Sequence, residues 1–175
     1  PLEAVRTVVL DPASRASAGM ARVLLREIAG PDVRYEPASE PGADPRDEPG
    51  DAVLLIGDPA LAYAPLWDGP LVDLGALWKD RTGLPFVYAR WTVRSGLEPR
   101  ERETLAALVD GAAASGLLRR ETLARHWAAD RGVNPDEAAR YVREHVRYEI
   151  GAREEAGRRR YAQALEAEHE ERRHA

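Results

Sequence analysis

The sequence predicts an α/β protein with a mostly parallel sheet, and three observations support this fold class. Short apolar segments rich in β-branched residues alternate with helical periods through the first half of the chain. Turns that contain proline, glycine or aspartate follow these segments, and most of the turns lead into a helical pattern. Beyond residue 99 only helical patterns remain. We therefore predict an α/β lobe over residues 1–92 and a helical region over residues 93–175.

The first strand and the first helix follow from local signals. Residues 5–10 form a short β-branched run, and Asp11 with the proline after it ends the strand. Apolar residues then recur with a helical period over 14–28. Either Ser14 or Asp11 can cap the start of this helix, and Gly30 with the following proline marks its end.

The rest of the α/β lobe alternates in the same way. Residues 52–56 are uniformly apolar, which is typical of a buried strand, whereas residues 37–50 are rich in proline, glycine and acidic residues and form a loop. In chain order we predict strands at 33–36, 52–56 and 85–92, with helices near 59–63 and 73–81. The resulting order is β-α-β-β-α-β, and its last strand joins the two regions.

The helical region contains four helical patterns. They lie near 105–109, 117–129, 135–149 and 152–170. The third has the clearest start, because Asn134 can cap a helix whose first residue is a proline and whose third is Glu137. His145 lies on the apolar face of this helix, so we interpret it as a packed histidine rather than as a base.

The composition excludes several kinds of site. The 175 residues include no cysteine, which excludes disulfides and thiolate metal sites, and the four histidines lack metal-ligand spacing. The net charge is −5, and the arginines of the last helices alternate with glutamates, as in solvated ion pairs rather than a nucleic-acid surface. The longest apolar runs are about five residues, too short for a membrane span, and no signal-peptide pattern opens the chain. We expect a cytoplasmic protein that binds neither nucleic acid nor membranes.

The first candidate site is the segment between the first strand and the first helix. Ser14 and Ser17 offer two hydroxyls there, beside the N–H groups of a helix start, and this combination suits a carboxylate or a phosphate. The alternative is that Ser14 only caps the helix and Ser17 is an ordinary helical residue. The residues alone favour that alternative.

The second candidate site begins at Gly57. The glycine permits a tight turn from strand to helix, and Asp58 either caps the helix or binds a hydroxyl of a ligand. Spacing alone favours the cap. Because both motifs follow the carboxyl ends of predicted strands, we expect Ser14, Ser17 and these two residues to share one sheet edge and one cleft.

Four aromatic residues are further candidates for lining a pocket. They are Trp67, Trp78, Tyr88 and Trp91. Taken singly, each is better explained by core packing. The sequence offers no Ser-His-Asp triad, glycine-rich phosphate loop or paired carboxylates.

Several sequence blocks carry a resemblance that spans nearly the whole chain. The blocks read LDPASRAS over 10–17, DAVLLIGD over 51–58, TGLPFVY over 82–88 and YVREHVRYEIG over 141–151. In this order they resemble the futalosine-pathway proteins of menaquinone biosynthesis, and within them the chorismate dehydratases. Two departures are visible: the family usually has threonine at Ala16, and it has an N-terminal portion that we expect to precede this chain.

The resemblance implies a particular architecture and site. The fold would be two-lobed and similar to the type II periplasmic binding proteins, with the ligand between the lobes. Residues 1–92 would form one lobe, and the helical region 93–175 would pack on the other, whose N-terminal part is expected to lie outside this chain. The implied substrate-binding residues are Ser14, Arg15, Ala16, Ser17, Gly57 and Asp58.

The resemblance also implies a carbon–oxygen lyase that dehydrates chorismate to 3-[(1-carboxyvinyl)oxy]benzoate. Formation of an aromatic ring would drive this reaction, so no metal or other cofactor is expected, and the small-molecule substrate is a carboxylate. The catalytic base stays open, and a carboxylate of the substrate is one candidate. The sequence does not specify the oligomeric state.

Two alternatives accompany this interpretation. The sister enzyme of the pathway, 1,4-dihydroxy-6-naphthoate synthase, should carry a histidine base in its cleft, and none of the four histidines lies in the predicted β-rich lobe. This absence favours the dehydratase. The other alternative is a non-catalytic solute-binding module.

Overall fold

The computed structural model describes residues 1–174 and confirms the α/β class. The strands are β1 (Thr7–Leu10), β2 (Arg34–Pro37) and β3 (Ala52–Leu54). The helices are α1 (Arg15–Ala29), α2 (Gly57–Tyr63), α3 (Leu74–Thr82), α4 (Pro99–Leu118), α5 (Arg120–Ala129), α6 (Pro135–Glu144) and α7 (Ala152–His174). Single 3-10 turns lie at Leu2–Ala4 and Ala64–Leu66.

The sheet is small and entirely parallel, with the strand order β2-β1-β3. Strand β1 is central and all four of its residues are buried, as expected for a parallel strand covered on both faces. Its pairing with β3 sets Leu10 opposite Leu54. The carboxyl ends of these two strands therefore lie side by side, and both candidate motifs follow them.

Two strand predictions need correction. The sequence predicts a strand over 85–92, but that segment is irregular in the structure and belongs to no sheet. Its Pro85 cannot donate to a strand ladder, and Phe86 packs instead against the indole ring of Trp78, with the ring centroids 5.5 Å apart. Strand β3 is shorter than predicted and half-buried rather than buried, because it lies at the edge of the sheet.

Helix α1 lies at the centre of the core. One apolar cluster joins it to the sheet and consists of Val5, Val8, Leu10, Ala21, Leu25 and Val33. A second cluster consists of Met20, Val23, Leu24 and Trp78 and joins α1 to α3. Trp78 is only 1% exposed. The two sides of α1 are thus held by the sheet and by α3.

Helix α7 packs along α1 and runs in the same direction. The hydroxyl of Tyr161 donates to the carbonyl oxygen of Ala16, and farther along both helices Arg26 forms an ion pair with Glu171. Residues 1–89 and the chain from Ile150 onward form one compact unit. The sequence pattern groups α7 with the three helices before it, whereas in the structure it lies on the α/β unit.

The second compact unit is Arg90–Glu149, with α4, α5 and α6. Helices α5 and α6 bury alanines against each other, and the Arg125 guanidinium lies 2.9 Å from the Asp136 carboxylate. The predicted cap of α6 is confirmed, because the Asn134 side chain accepts from two backbone N–H groups of the first turn. His145 lies just beyond the end of α6 and is exposed rather than buried, although its ring stacks on that of Tyr141 with the centroids 5.9 Å apart. Among the helices described over residues 1–174, none combines the length and hydropathy that a membrane crossing requires.

Two glycine-to-alanine substitutions are expected to change stability in opposite directions. A Cβ on the buried Gly157 of α7 would lie 2.0 Å from the carbonyl oxygen of Pro85. We expect Gly157→Ala to lower the free energy of unfolding by about 1–3 kcal/mol, the usual cost of overpacking. A Cβ on Gly111 of α4 meets nothing within 4 Å, so Gly111→Ala should add roughly 0.5–1 kcal/mol through helix propensity.

Urea denaturation of the two variants measures both changes. If both variants change stability equally and in the same direction, the close approach of α7 to Pro85 does not restrict the residue at position 157.

Candidate functional site

The turn between β1 and α1 is built by Asp11. This side chain is 2% exposed, and its Oδ1 accepts the N–H of Ala13 at 2.8 Å. The backbone N–H of Asp11 donates to the carbonyl oxygen of Leu54 at 3.2 Å, and this hydrogen bond joins the turn to β3. Asp11 therefore shapes the turn, and the cap of α1 is a different residue.

Ser14 is the cap of α1, as one of the two sequence interpretations predicts. Its Oγ accepts the N–H of Ser17 at 3.0 Å. The Ser14 hydroxyl keeps its own proton for donation, so the cap and a ligand contact are compatible. Ser17 is buried, Ala16 is half-buried and Arg15 is exposed.

The start of α2 requires glycine but is not capped by Asp58. Gly57 has φ +59°, the left-handed region that side chains with a Cβ rarely adopt. The residue before it, Ile56, offers no side-chain cap, and the exposed Asp58 lies inside the first turn of the helix. The capping role that spacing favours for Asp58 is therefore not the arrangement found.

The two motifs leave the same edge of the sheet. Residues 11–14 follow β1 and residues 55–58 follow β3, and these two strands are parallel neighbours. Open α/β sheets bind ligands at this edge, outside the carboxyl ends of their strands. Backbone N–H groups, two serine hydroxyls and one carboxylate are thus supplied by adjacent segments. Such a set can bind a carboxylate at the helix start and a hydroxyl at the aspartate.

Asp51 fixes the opposite end of the same strand pair, and the sequence patterns did not identify it. Its Oδ2 accepts the N–H groups of Arg6 and Thr7, at 2.9 and 2.8 Å. These two hydrogen bonds hold the pKa of the Asp51 carboxyl below its usual value, and the bond from Arg6 has the larger effect. An acidic residue directly before a strand was the available signal. The contact holds the starts of β1 and β3 together and so supports the register at the site.

The aromatic candidates separate into one core residue and three exposed ones. Trp78 packs edge-on against Phe86 and Tyr161, with centroid distances of 5.5 and 6.0 Å. The exposed residues are Trp67, Tyr88 and Trp91. The core interpretation is therefore correct for Trp78 only.

Two histidines, His169 and His174, belong to the α/β unit, contrary to the sequence prediction. His169 lies on α7, where its Nε2 is 3.7 Å from the carboxylate of Glu168. It is eight residues beyond Tyr161, which corresponds to about 12 Å along the helix axis. Tyr161 contacts α1 near its start, at Ala16, whereas Glu171 forms its ion pair with Arg26 near the end of α1. His169 therefore lies toward the end of α1 that is far from the candidate site. Within residues 1–174, no group of three metal-ligating side chains is assembled.

Comparison with known proteins identifies the family. The family whose sequence pattern matches residues 1–167 is described as menaquinone biosynthesis. The chain belongs to this family. A curated relative, the chorismate dehydratase of Thermus thermophilus, is 33% identical over 184 aligned positions, which cover 90% of this chain. The chain spans 62% of the length of that relative.

Proposed function

We propose that this protein is a hydro-lyase of menaquinone biosynthesis that dehydrates chorismate to 3-[(1-carboxyvinyl)oxy]benzoate. The observation that carries the proposal is the 33% identity to a chorismate dehydratase across 90% of the chain. Membership of the menaquinone biosynthesis family over residues 1–167 supports the same pathway. The edge of the sheet where two polar motifs meet supplies a site for a carboxylate substrate.

The start of α1 binds a carboxylate of chorismate in this proposal. The N–H groups of a helix start carry partial positive charge and attract anions. Arg15 and Ala16 contribute backbone N–H groups of this first turn, and the hydroxyls of Ser14 and Ser17 flank them. Ser14 is already oriented by its hydrogen bond to Ser17, which reduces the cost of ordering it on binding.

The second motif binds the part of the substrate that reacts. Gly57 turns the chain sharply after β3, and Asp58 follows on the exposed first turn of α2. A carboxylate here accepts a hydrogen bond from a ring hydroxyl and so orients it. Both motifs follow neighbouring parallel strands, so a single ligand can contact both of them.

The reaction removes one water molecule and needs no redox step. A base takes the proton from C3, the electron pair of that C–H bond forms the new ring double bond, and hydroxide leaves C4. The ring becomes aromatic, so the protein mainly holds the substrate in position and stabilises the departing hydroxide. One carboxylate of the substrate is a candidate base, because a group held by the same molecule is already in place.

The proposal includes the two-lobed fold of the type II periplasmic binding proteins and a cytoplasmic location. The helices of the second compact unit expose large apolar side chains, and Leu118 is 89% exposed. The exposed set includes Leu105, Leu108, Leu118, Leu123 and Tyr141. Exposed apolar side chains in such numbers are typical of an interaction surface. We propose that they pack on the sheet of a second lobe.

Incubation of the full-length protein with chorismate tests the proposed activity. We expect chorismate to disappear and the aromatic ether to form in equal amounts, with heat-denatured protein as the control. Turnover of the cyclic precursor of 1,4-dihydroxy-6-naphthoate instead would identify the sister activity. Saturable binding of chorismate without product would identify a solute-binding module.

A further inference from the structure

We infer that Tyr161 of α7 is a positioning residue that holds the first turn of α1 in the geometry needed to bind substrate. Its hydroxyl donates to the carbonyl oxygen of Ala16 at 3.1 Å, across 145 positions of sequence. Ala16 lies between the two serines of the candidate site. The inference rests on the proposed function, because it assigns substrate binding to this turn.

The hydrogen bond is additional to those of the helix itself. In an α-helix, the carbonyl of Ala16 accepts the N–H of the residue four positions later. A carbonyl oxygen has two lone pairs, so the Tyr161 hydroxyl can bind the same atom without breaking that bond. First turns are where helices fray, because half of their backbone groups lack helical partners. A donor from another helix therefore restrains a segment that would otherwise move.

Gly19 provides the space for this contact. A Cβ at Gly19 would lie 2.2 Å from the Tyr161 hydroxyl oxygen and 3.3 Å from the Cδ1 of Leu165. Glycine in a helix interior costs stability, about 0.5–1 kcal/mol relative to alanine. Its presence in a buried turn of α1 is explained by the close approach of α7.

The Tyr161 ring is itself held firmly. It packs edge-on against Phe86, with the ring centroids 4.9 Å apart, and against Trp78 at 6.0 Å. Burial raises the pKa of the Tyr161 phenol, so the hydroxyl keeps the proton that it donates. The position of the Ala16 carbonyl therefore depends on the aromatic cluster of Trp78, Phe86 and Tyr161.

The position of this turn matters for binding because Ser14 and Ser17 are its neighbours. Both hydroxyls and the adjacent N–H groups belong to this first turn, so a displacement of the turn displaces all of them. Misplacement of binding groups by about 1 Å can cost large factors in activity. A positioning role therefore predicts a change in substrate affinity that exceeds the change in stability.

The Tyr161→Phe variant of the full-length protein tests the inference, because it removes the hydroxyl and keeps the ring. We expect the KM for chorismate to rise about fivefold, with kcat within about twofold, which corresponds to the loss of one hydrogen bond of roughly 1 kcal/mol. Amide hydrogen exchange of residues 17–20 should accelerate. The matched control is Val33→Ala, which removes apolar contacts from the cluster on the sheet side of α1 and leaves the aromatic cluster of Tyr161 intact: it should lower the melting temperature and leave the KM unchanged.

The two readouts separate the inference from the proposed function. If wild-type protein does not act on chorismate, the proposed function fails, and amide exchange in Tyr161→Phe still decides whether this hydroxyl restrains the first turn. Unchanged exchange at residues 17–20 would overturn the inference. A lowered melting temperature with unchanged KM in an active protein would also overturn it, because Tyr161 would then be purely structural.

Discussion

The Asp58→Ala variant is expected to lose at least a factor of ten in chorismate turnover, about 1.4 kcal/mol of transition-state stabilisation. Asp58 is exposed on the first turn of α2, directly after the strand that pairs with β1. In the proposed site its carboxylate orients the ring hydroxyl, and alanine cannot do so. Steady-state kinetics on the full-length protein measures the loss.

Asp73→Ala is the matched control for a purely structural aspartate. Asp73 caps α3, since its Oδ1 accepts the N–H of Ala76 at 2.8 Å. Its removal should cost about 1 kcal/mol of stability, the usual value for a lost cap, and leave turnover unchanged. If Asp58→Ala also shows a lowered melting temperature and normal kinetics, the role of Asp58 is structural and the proposed contact with the substrate is wrong.

The Trp78→Ala variant is expected to lose about 3–5 kcal/mol of unfolding free energy, the largest stability effect that we predict. Trp78 is 1% exposed and packs against Met20 and Leu24 of α1 on one side. On the other side it contacts the rings of Phe86 and Tyr161. Alanine would leave a cavity where α1, α3 and α7 meet.

Trp91→Ala provides the comparison for that loss. Trp91 is 83% exposed in this chain, so its removal should change the free energy of unfolding by no more than about 0.5 kcal/mol. Chemical denaturation of the 175-residue chain measures both variants. Similar losses for the two tryptophans would contradict the core position of Trp78.

Features with local causes could be predicted from the sequence. Ser14 caps α1 and Gly30, with φ +95°, ends it, because hydroxyl caps and glycine stops act within one turn of the chain. Asn134 starts α6 for the same reason. The parallel pairing of β1 and β2 followed from α1, the helix that connects these two strands.

Features with distant causes could not be predicted in this way. Residues 85–92 have the composition of a strand, but Phe86 finds its partners on α3 and α7 instead of in the sheet. The pattern of α7 gives no sign that Tyr161 reaches Ala16, because that contact depends on the distant Gly19 of α1. The start of α2 was also predicted two residues too late, since the helix begins at Gly57 rather than near residue 59.

An amide-shift titration of the isotope-labelled full-length protein with chorismate tests the proposed binding site most directly. The central claim is that chorismate binds at the sheet edge where the turns after β1 and β3 meet. The claim predicts saturable shifts concentrated at residues 14–18 and 57–58, and weaker binding in Ser17→Ala with the same pattern. Shifts that cluster elsewhere, or saturable turnover without shifts in these two segments, would contradict it.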